Sequence, residues 1–274
     1  MAVKGYKRYF SLFRNIKNPG IYLRNKIIPS IKPFLFITKP NEIRITVSKK
    51  LLLVFKEIFM SDVYDIDALC KVLPSNPVIL DIGANVGFFD VILLSKINVS
   101  KIFAYEPVTV NSNKFQEIIN DNDILKQKVF LYTMAVTGKP IDKLELHIQG
   151  DNENTVDASV LSEFKKDHNT TITVPCITLG EILQKNNLSK VDLLKMDCEG
   201  SEYDIMYNTD PELIKRITKM VIEVHDIDNE KNNVSFFNDY TKSLGYLTSY
   251  EKIDVDSYIL HATRTIFNGT AEQR

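Results

Sequence analysis

The sequence predicts a doubly wound α/β sheet, and three observations predict it. Short apolar runs recur at 78–82 (VILDI), 101–107 (KIFAYEP), 191–197 (VDLLKMD) and 219–226 (KMVIEVHD). Each has the length of a strand, and unbroken apolarity suits a strand buried on both faces. Stretches with helical spacing lie between them. The first run leads into D-I-G-A-N-V-G at 81–87, a strand-to-helix turn of the kind at which such sheets bind ligands.

The elements follow in order. A helix over 87–96 (GFFDVILLSK) packs behind the first strand. After Pro107 stops the second strand, TVNSNKFQEIINDN (109–122) reads as a helix with Thr109 as N-cap and Val110, Phe115, Ile118 and Ile119 inward. KVFLYTMAV (128–136) is a third strand. LELHI (144–148) and TITVP (171–175) alternate and pair antiparallel, with DNENTVDAS (151–159) in the polar loop between them. A helix over 178–187 precedes the strand at 191–197. SEYDIMYN (201–208) and PELIKRIT (211–218) are helical. VSFFNDYTKSLG (234–245) is an amphipathic helix closed by Gly245. YLTSYE and DSYILHATR form a closing hairpin, so the mostly parallel sheet ends in an antiparallel strand.

The turn at 82–88 carries the first chemical signal. Gly83 lacks a Cβ and lets a ligand approach the backbone; Gly87 allows tight packing where the helix begins, beside Phe88. Free amides at a helix start favour an anionic group. A dinucleotide is disfavoured, because the pyrophosphate fingerprint is G-x-G-x-x-G and Asn85 stands at its middle glycine. Asp81 also places a carboxylate where phosphate would sit. A cationic ligand with its own carboxylate suits the turn better, and S-adenosylmethionine is one. Glu106, nineteen residues past Gly87, is placed to accept ribose hydroxyls.

LLKMDCEGSEYDIM (193–206) carries the second signal. On an extended strand Lys195, Asp197 and Glu199 fall on one side, Met196 and Cys198 on the other. Polar groups ending an apolar strand are costly unless used or solvated. Glu202 falls in the first turn of the next helix, where the dipole favours an acid. On the neighbouring strand, Glu223 and His225 share a face. Cys198, facing away from the acids, reads as core rather than nucleophile.

With these motifs assembled, the chain resembles the FkbM family of S-adenosylmethionine-dependent methyltransferases over roughly residues 50–265. The resemblance rests on DIGANVGFFD, FAYEP, K-x-D-x-E-G-x-E at 195–202, and IEVHD; TLGEIL at 178–183 follows the family's T-L-D-x-L with Gly180 for the acid. It implies the Rossmann-like seven-stranded methyltransferase sheet and O-methylation, often of a sugar hydroxyl in a glycan, lipid-linked saccharide or glycosylated natural product. The expected cofactor contacts are Asp81, Gly83, Asn85, Gly87, Phe88, Glu106, Pro107, Ala135 and Asp197. The expected catalytic group is His225 with Asp197, Lys195 and Glu199. His225, with an ordinary pKa near 6.5, is the first candidate base and Asp197 the second. The acids also permit a divalent cation on Asp197 and Glu223 without requiring one. Loops at 136–175 and the N-terminal region are expected to shape the acceptor pocket. A nicotinamide-dependent oxidoreductase has the right sheet but the wrong loop. A non-catalytic binder on the same fold would not need the acids and His225.

Charge divides the chain at residue 50. Residues 1–50 hold twelve Lys/Arg against one acid, Glu42, so that segment carries about +11 and the remainder about −12. The expected division is a basic N-terminal extension, 1–50, and a methyltransferase domain, 51–274. In KGYKRYFSLFRNIK (4–17), Tyr6, Tyr9, Phe10 and Phe13 form one stripe at helical spacing, with five cations beside it. Two placements stay open: packing on the acidic domain of the same chain or of a second copy in a homo-oligomer, or lying on an anionic membrane surface. Nucleic-acid binding is not expected, since the basic stretch is short and the rest acidic. IIPSIKPFLFI (27–37) is broken by two prolines and a lysine, and no run reaches the roughly 20 residues of a membrane helix. Three scattered cysteines suit a reducing cytoplasm. The expected location is cytoplasmic; the membrane placement of the N-terminus, if it holds, would add peripheral contact at the inner membrane surface.

Overall fold

The computed structural model describes residues 2–28, 32–148, 158–159 and 170–264. In chain order the elements begin with α1 (Lys7–Asn15), α2 (Gly20–Ile27), β1 (Phe34–Ile37), β2 (Arg44–Val47), α3 (Leu52–Lys56, running on as a π-helical turn Glu57–Ser61) and α4 (Ile66–Val72). Then come β3 (Val78–Ile82), α5 (Phe88–Lys96), β4 (Lys101–Tyr105), α6 (Thr109–Asn120), α7 (Asp123–Lys128), β5 (Val129–Tyr132), β6 (Ala135–Thr137), β7 (Lys143–Ile148), β8 (Ala158–Ser159) and β9 (Thr170–Thr178). The chain continues through α8 (Leu179–Lys185), β10 (Leu193–Met196), α9 (Glu202–Asn208), α10 (Pro211–Ile214), β11 (Lys219–His225), α11 (Val234–Ser243), β12 (Tyr246–Lys252) and β13 (Ser257–Arg264).

Seven strands form the main sheet in the order β12-β13-β11-β10-β3-β4-β5. β11, β10, β3, β4 and β5 are parallel, and β13 runs antiparallel between β11 and β12. The order reverses between β3 and β10, the switch point where a doubly wound sheet opens a crevice at its strand ends. Alternation along each strand feeds two cores. Ile79, Leu193, Val221 and Ile259 face one side; Leu80, Ile82, Leu194, Met196, Ile222 and Leu260 face the other. A smaller sheet, β6-β9-β7-β8, stands beside the crevice, with β7 and β9 antiparallel as their alternation predicts. Of the polar loop expected at 151–159, all but Ala158 and Ser159 lie outside the described residues.

Local signals set several boundaries. Thr178 Oγ1 accepts from the Glu181 amide while Glu181 Oε2 accepts from the Thr178 amide, a capping box that starts α8. Gly245 takes φ +91° just past α11, as a closing glycine should. Thr109 is not the N-cap of α6: Val108 holds that position, and its amide donates to Glu106 Oε1 at 2.9 Å. The single strand expected at 128–136 divides into β5 in the main sheet and β6 in the small one.

The charge boundary at residue 50 is not a packing boundary. Leu12, Ile16, Phe36, Ile43 and Ile45 belong to the same core as Phe59, Phe88 and Val91. Stacked rings run from Phe36 to Phe55 (4.5 Å) and on to Phe59 (4.9 Å), which meets Phe88 edge-on at 5.6 Å. α1 packs on the π-helical turn through Ser11, Leu12 and Asn15, with Asn15 Nδ2 donating to the Phe59 carbonyl at 2.9 Å. Three rings of the expected stripe point the other way, Tyr6, Phe10 and Phe13 being 71%, 70% and 49% exposed, while Tyr9 departs from it and packs partly buried against the core. Among the described residues no helix is long and apolar enough to cross a membrane.

Candidate active site

The carboxyl ends of β3, β4, β10 and β11 open into one cavity of about 1330 Å³. Pockets for a single small ligand run to about 1000 Å³, so there is room for a cofactor and an acceptor together. Gly83, Asn85, Phe88, Glu106, Pro107, Ala135, Lys195, Asp197, Glu199 and His225 line it. Of the site residues predicted from sequence, only Asp81 and Gly87 are absent from the wall.

The glycine turn is built for packing as much as for a ligand. Gly83, Asn85 and Gly87 all take left-handed φ, at +78°, +51° and +76°. Asn tolerates that region better than other side chains, which accounts for Asn85 where a glycine might be expected. A Cβ on Gly83 would lie 1.8 Å from the Asp197 carbonyl oxygen, and one on Gly87 would lie 2.1 Å from the Phe115 ring. The expectation that Gly83 leaves space for a ligand is therefore corrected: its missing side chain lets the turn close onto β10. Gly87 packs as expected.

Glu106 braces this end. Its Oε2 accepts from the Asn85 amide at 2.8 Å and its Oε1 from the Val108 amide at 2.9 Å, tying the turn after β4 to the glycine turn. Burial pushes its pKa up to about 7 against the pull of those two amides. Each oxygen keeps a lone pair, so ribose hydroxyls could still donate to it. Val108, Met134, Ala135, Val136 and Leu146 give an apolar wall beside it, suited to an adenine.

The other end is acidic. Asp81 is fully buried, and in-register pairing of β3 with β10 sets it beside Lys195. Lys195 Nζ stands 3.3 Å from Asp81 and 3.9 Å from Asp197, and donates to the Gly83 carbonyl at 2.6 Å. Burial opposes its charge, but Asp81 and Asp197 hold it above the ordinary lysine range. Asp81 is thus the counter-ion of Lys195 rather than a group presented to a ligand. Asp90, equally buried on α5, is pushed well above the carboxylate range by burial and by Asp81, and is the protonated member of that pair.

Beyond β10, Glu199 and Gly200 turn through left-handed φ of +50° and +101°. Asp197, Glu199, Glu223 and His225 are brought together as expected, Glu223 and His225 by strand alternation but Glu199 by this left-handed turn rather than by an extended strand, since β10 ends at Met196. Tyr64, which the sequence did not single out, joins them: its hydroxyl lies 2.8 Å from Asp197 Oδ2 and 3.2 Å from Glu223 Oε2. Its ring lies against Lys195 Nζ at 5.5 Å and edge-on to Phe89. Burial and the neighbouring Asp197 push Glu223 up to about 8. Cys198 is half-buried on the cavity wall, and desolvation and the neighbouring Glu202 and Asp197 hold its thiol well above the usual range, which disfavours a thiolate.

His225 departs from expectation. Glu202, at the start of α9, accepts from the His225 amide at 2.9 Å and faces Nδ1 at 3.0 Å. Nε2 stands 3.6 Å from Glu223 and 3.8 Å from Glu199. Burial disfavours a charge there, but Glu202, then Glu199 and Glu223, raise the imidazole to about 10. It is a cation at neutral pH and has no lone pair to act as base. Glu202 is more than the helix-dipole acid its position suggests: Oε2 accepts from Gly200, and the whole carboxylate is buried.

The S-adenosylmethionine fits this lining. The apolar wall would take its adenine, Glu106 its ribose hydroxyls, and the acids its cationic groups. Asp197, Glu223 and His225 each have a potential ligand atom within 4.8 Å of the others, a donor set that would suit a divalent cation once His225 gives up its proton.

Comparison with known proteins agrees. Methyltransferase sdnD of Sordaria araneosa is 28% identical over 199 residues, 62% of this chain and 73% of that protein. AMB antimetabolite synthetase AmbE of Pseudomonas aeruginosa is 23% identical over 203 residues, 63% of this chain; the match spans only 9% of the synthetase. The crystal structure of precorrin-6y C5,15-methyltransferase from Geobacter metallireducens aligns with a TM-score of 0.45 at 13% identity, over 75% of this chain and 89% of that one. The methyltransferase FkbM domain matches residues 81–248, from the strand that starts the glycine turn to the closing hairpin. That match spans well over half of the chain, which therefore belongs to the FkbM family of S-adenosylmethionine-dependent methyltransferases.

Proposed function

We propose that the chain methylates a hydroxyl oxygen of a saccharide, in a glycan, a lipid-linked sugar or a glycosylated small molecule. The observation that carries this reading is the Asp197 carboxylate, on the cavity wall beside the glycine turn and held from two sides by Lys195 and Tyr64. S-adenosylmethionine, when bound, supplies an electrophilic methyl group on a sulfonium. Methyl transfer forms an oxygen–carbon bond, breaks the sulfur–methyl bond and releases the hydroxyl proton. Asp197 takes that proton. Lys195 and Tyr64 fix its orientation, and alignment of this kind is worth up to about 7–11 kcal/mol. Imidazolium His225 holds Glu199 in place by charge, with Glu223 beside it at 3.6 Å. Glu106 orients the ribose.

A second reading is favoured by the spacing of Asp197, Glu223 and His225. With the His225 imidazole deprotonated, these three would hold a divalent cation, which would lower the pKa of a sugar hydroxyl. Unpaired Cys70, Cys176 and Cys198 support a reducing, cytoplasmic location.

The test is a screen of methyl-labelled cofactor with sugar nucleotides, lipid-linked sugars and isolated glycans. Label on a saccharide hydroxyl supports the reading. Label only on a non-saccharide acceptor removes it. Loss of transfer with a chelator and recovery with Mg²⁺ selects the cation reading.

A further inference from the structure

We infer that the outward face of α1 docks the protein on an anionic membrane surface. α1 has two apolar faces. Leu12, with Ser11 and Asn15, faces the core. Tyr6, Phe10 and Phe13 occupy the opposite arc, and Tyr6 and Phe10 touch edge to face with 6.4 Å between centroids. At 100° per residue Lys7 and Arg14 border this arc, and Lys17 follows just past the helix end; all three are exposed, with Arg14 paired to Asp67 and Lys17 to Glu42, so Lys7 is the cation the docking test addresses. α1 carries no acid. The C-terminal end of α2 adjoins it, since Lys26 Nζ donates to the Tyr9 hydroxyl and lies over its ring. Ile27 and Ile28, immediately beyond, are exposed as well.

Charge and area select the occupant. Exposed rings with long cations at their margin match an interfacial helix, whose apolar face enters the headgroup boundary while Lys and Arg reach the lipid phosphates. A second copy of the chain would need about 800 Å² from each partner, whereas α1 is nine residues, about 13 Å long. Protein interfaces also deplete lysine. The helix starts at the cavity rim: Ala2, Val3, Lys4 and Lys7 line the same cavity as Asp197. Val3 and Ala2 are tied there by amide bonds to the Ser61 carbonyl (2.6 Å) and to Glu251 (3.0 Å). Docking therefore sets the mouth of the cavity beside the bilayer.

The test is sedimentation of the full chain with phosphatidylcholine–phosphatidylglycerol vesicles, at low and high salt. The wild type is expected to sediment at low salt, to be released at high salt, and to bind phosphatidylcholine alone weakly. Phe10→Ser with Phe13→Ser should bind roughly tenfold or more weaker with a melting temperature lowered by only a few degrees, because Phe10 is largely and Phe13 about half exposed. Lys7→Gln should bind about fivefold weaker, the worth of one cation at an anionic surface. Absence of wild-type binding, or equal binding by all three proteins, overturns the proposal. So does concentration-dependent self-association of the wild type that the double variant loses while vesicle binding stays absent; the face would then belong to a second copy.

Discussion

Nδ1 of His225 stands 3.0 Å from Oε1 of Glu202, and the same oxygen accepts from the His225 backbone amide. This double tie fixes the ring, directs Nε2 toward Glu199 and Glu223, and makes the imidazole a cation. In the proposed function the role of proton acceptor therefore goes to Asp197 rather than His225.

The His225 charge is open to direct titration. By NMR the imidazole is expected to titrate near the value of about 10 set by Glu202, Glu199 and Glu223, and Glu202→Gln should bring it down toward 6.5. The folded pKa lies above the unfolded one, so the associated stability is fully present below pH ~6.5 and is lost as pH rises through about 10. Denaturant midpoints should fall across that window more steeply in the wild type than in His225→Gln. Equal slopes would show that the imidazole is neutral in the fold.

Glu106 makes cofactor binding pH-dependent. Its carboxyl, raised to about 7 by burial, holds its proton through half of the population at neutral pH. Ribose hydroxyls donate to the ionised form and so favour it. Affinity for S-adenosylhomocysteine should rise about tenfold between pH 6 and pH 8, with proton release on binding seen by calorimetry in buffers of different ionisation enthalpy. A flat profile would separate Glu106 from the ribose.

Two glycines with left-handed φ should respond differently to alanine. At Gly245 nothing lies within 4 Å of an added Cβ, so Gly245→Ala should cost only the strain of the conformation, about 1–2 kcal/mol. At Gly83 the Cβ meets the Asp197 carbonyl, and Gly83→Ala should cost about 3 kcal/mol or more as the turn is forced from β10. Chemical denaturation of the two variants compares them directly. Similar losses would mean that the turn does not close on Asp197.

Tyr64→Phe keeps the ring against Phe89 and Lys195 but removes the proton shared by Asp197 and Glu223. A hydrogen bond to a charged group is worth about 1.5–3 kcal/mol. Turnover should fall roughly 10–100-fold with S-adenosylhomocysteine affinity within a few-fold of wild type. Unchanged turnover would make Tyr64 a packing residue.

The parts of this site that the sequence discloses are those fixed by strand period and turn chemistry. Glu106 and Asp197 stand just past the ends of their strands, and Glu223 and His225 share a face by alternation; Glu199, by contrast, is placed by its left-handed turn. What it conceals depends on contacts between distant elements. Tyr64 reaches the acids only because the chain leaves the π-helical turn through left-handed Asp62 and Asp65. Glu202 reads as a helix-start acid until the packing of α9 on β11 sets it under His225. Asp81 reads as a ligand group because the sequence does not show that Lys195 lies in register with it. The N-terminal stripe illustrates the same limit: its spacing is visible, but Leu12 and Asn15, on the other side, are what the π-helical turn accepts.

The most direct test of the account is the rate of labelled methyl transfer, at saturating cofactor, by wild type and Asp197→Asn. The variant keeps the shape of the side chain and loses its capacity to take a proton. The expected result is a fall of roughly 10²–10⁴-fold in turnover, with S-adenosylhomocysteine affinity nearly unchanged. Transfer by Asp197→Asn at the wild-type rate would contradict the assignment of Asp197 as proton acceptor.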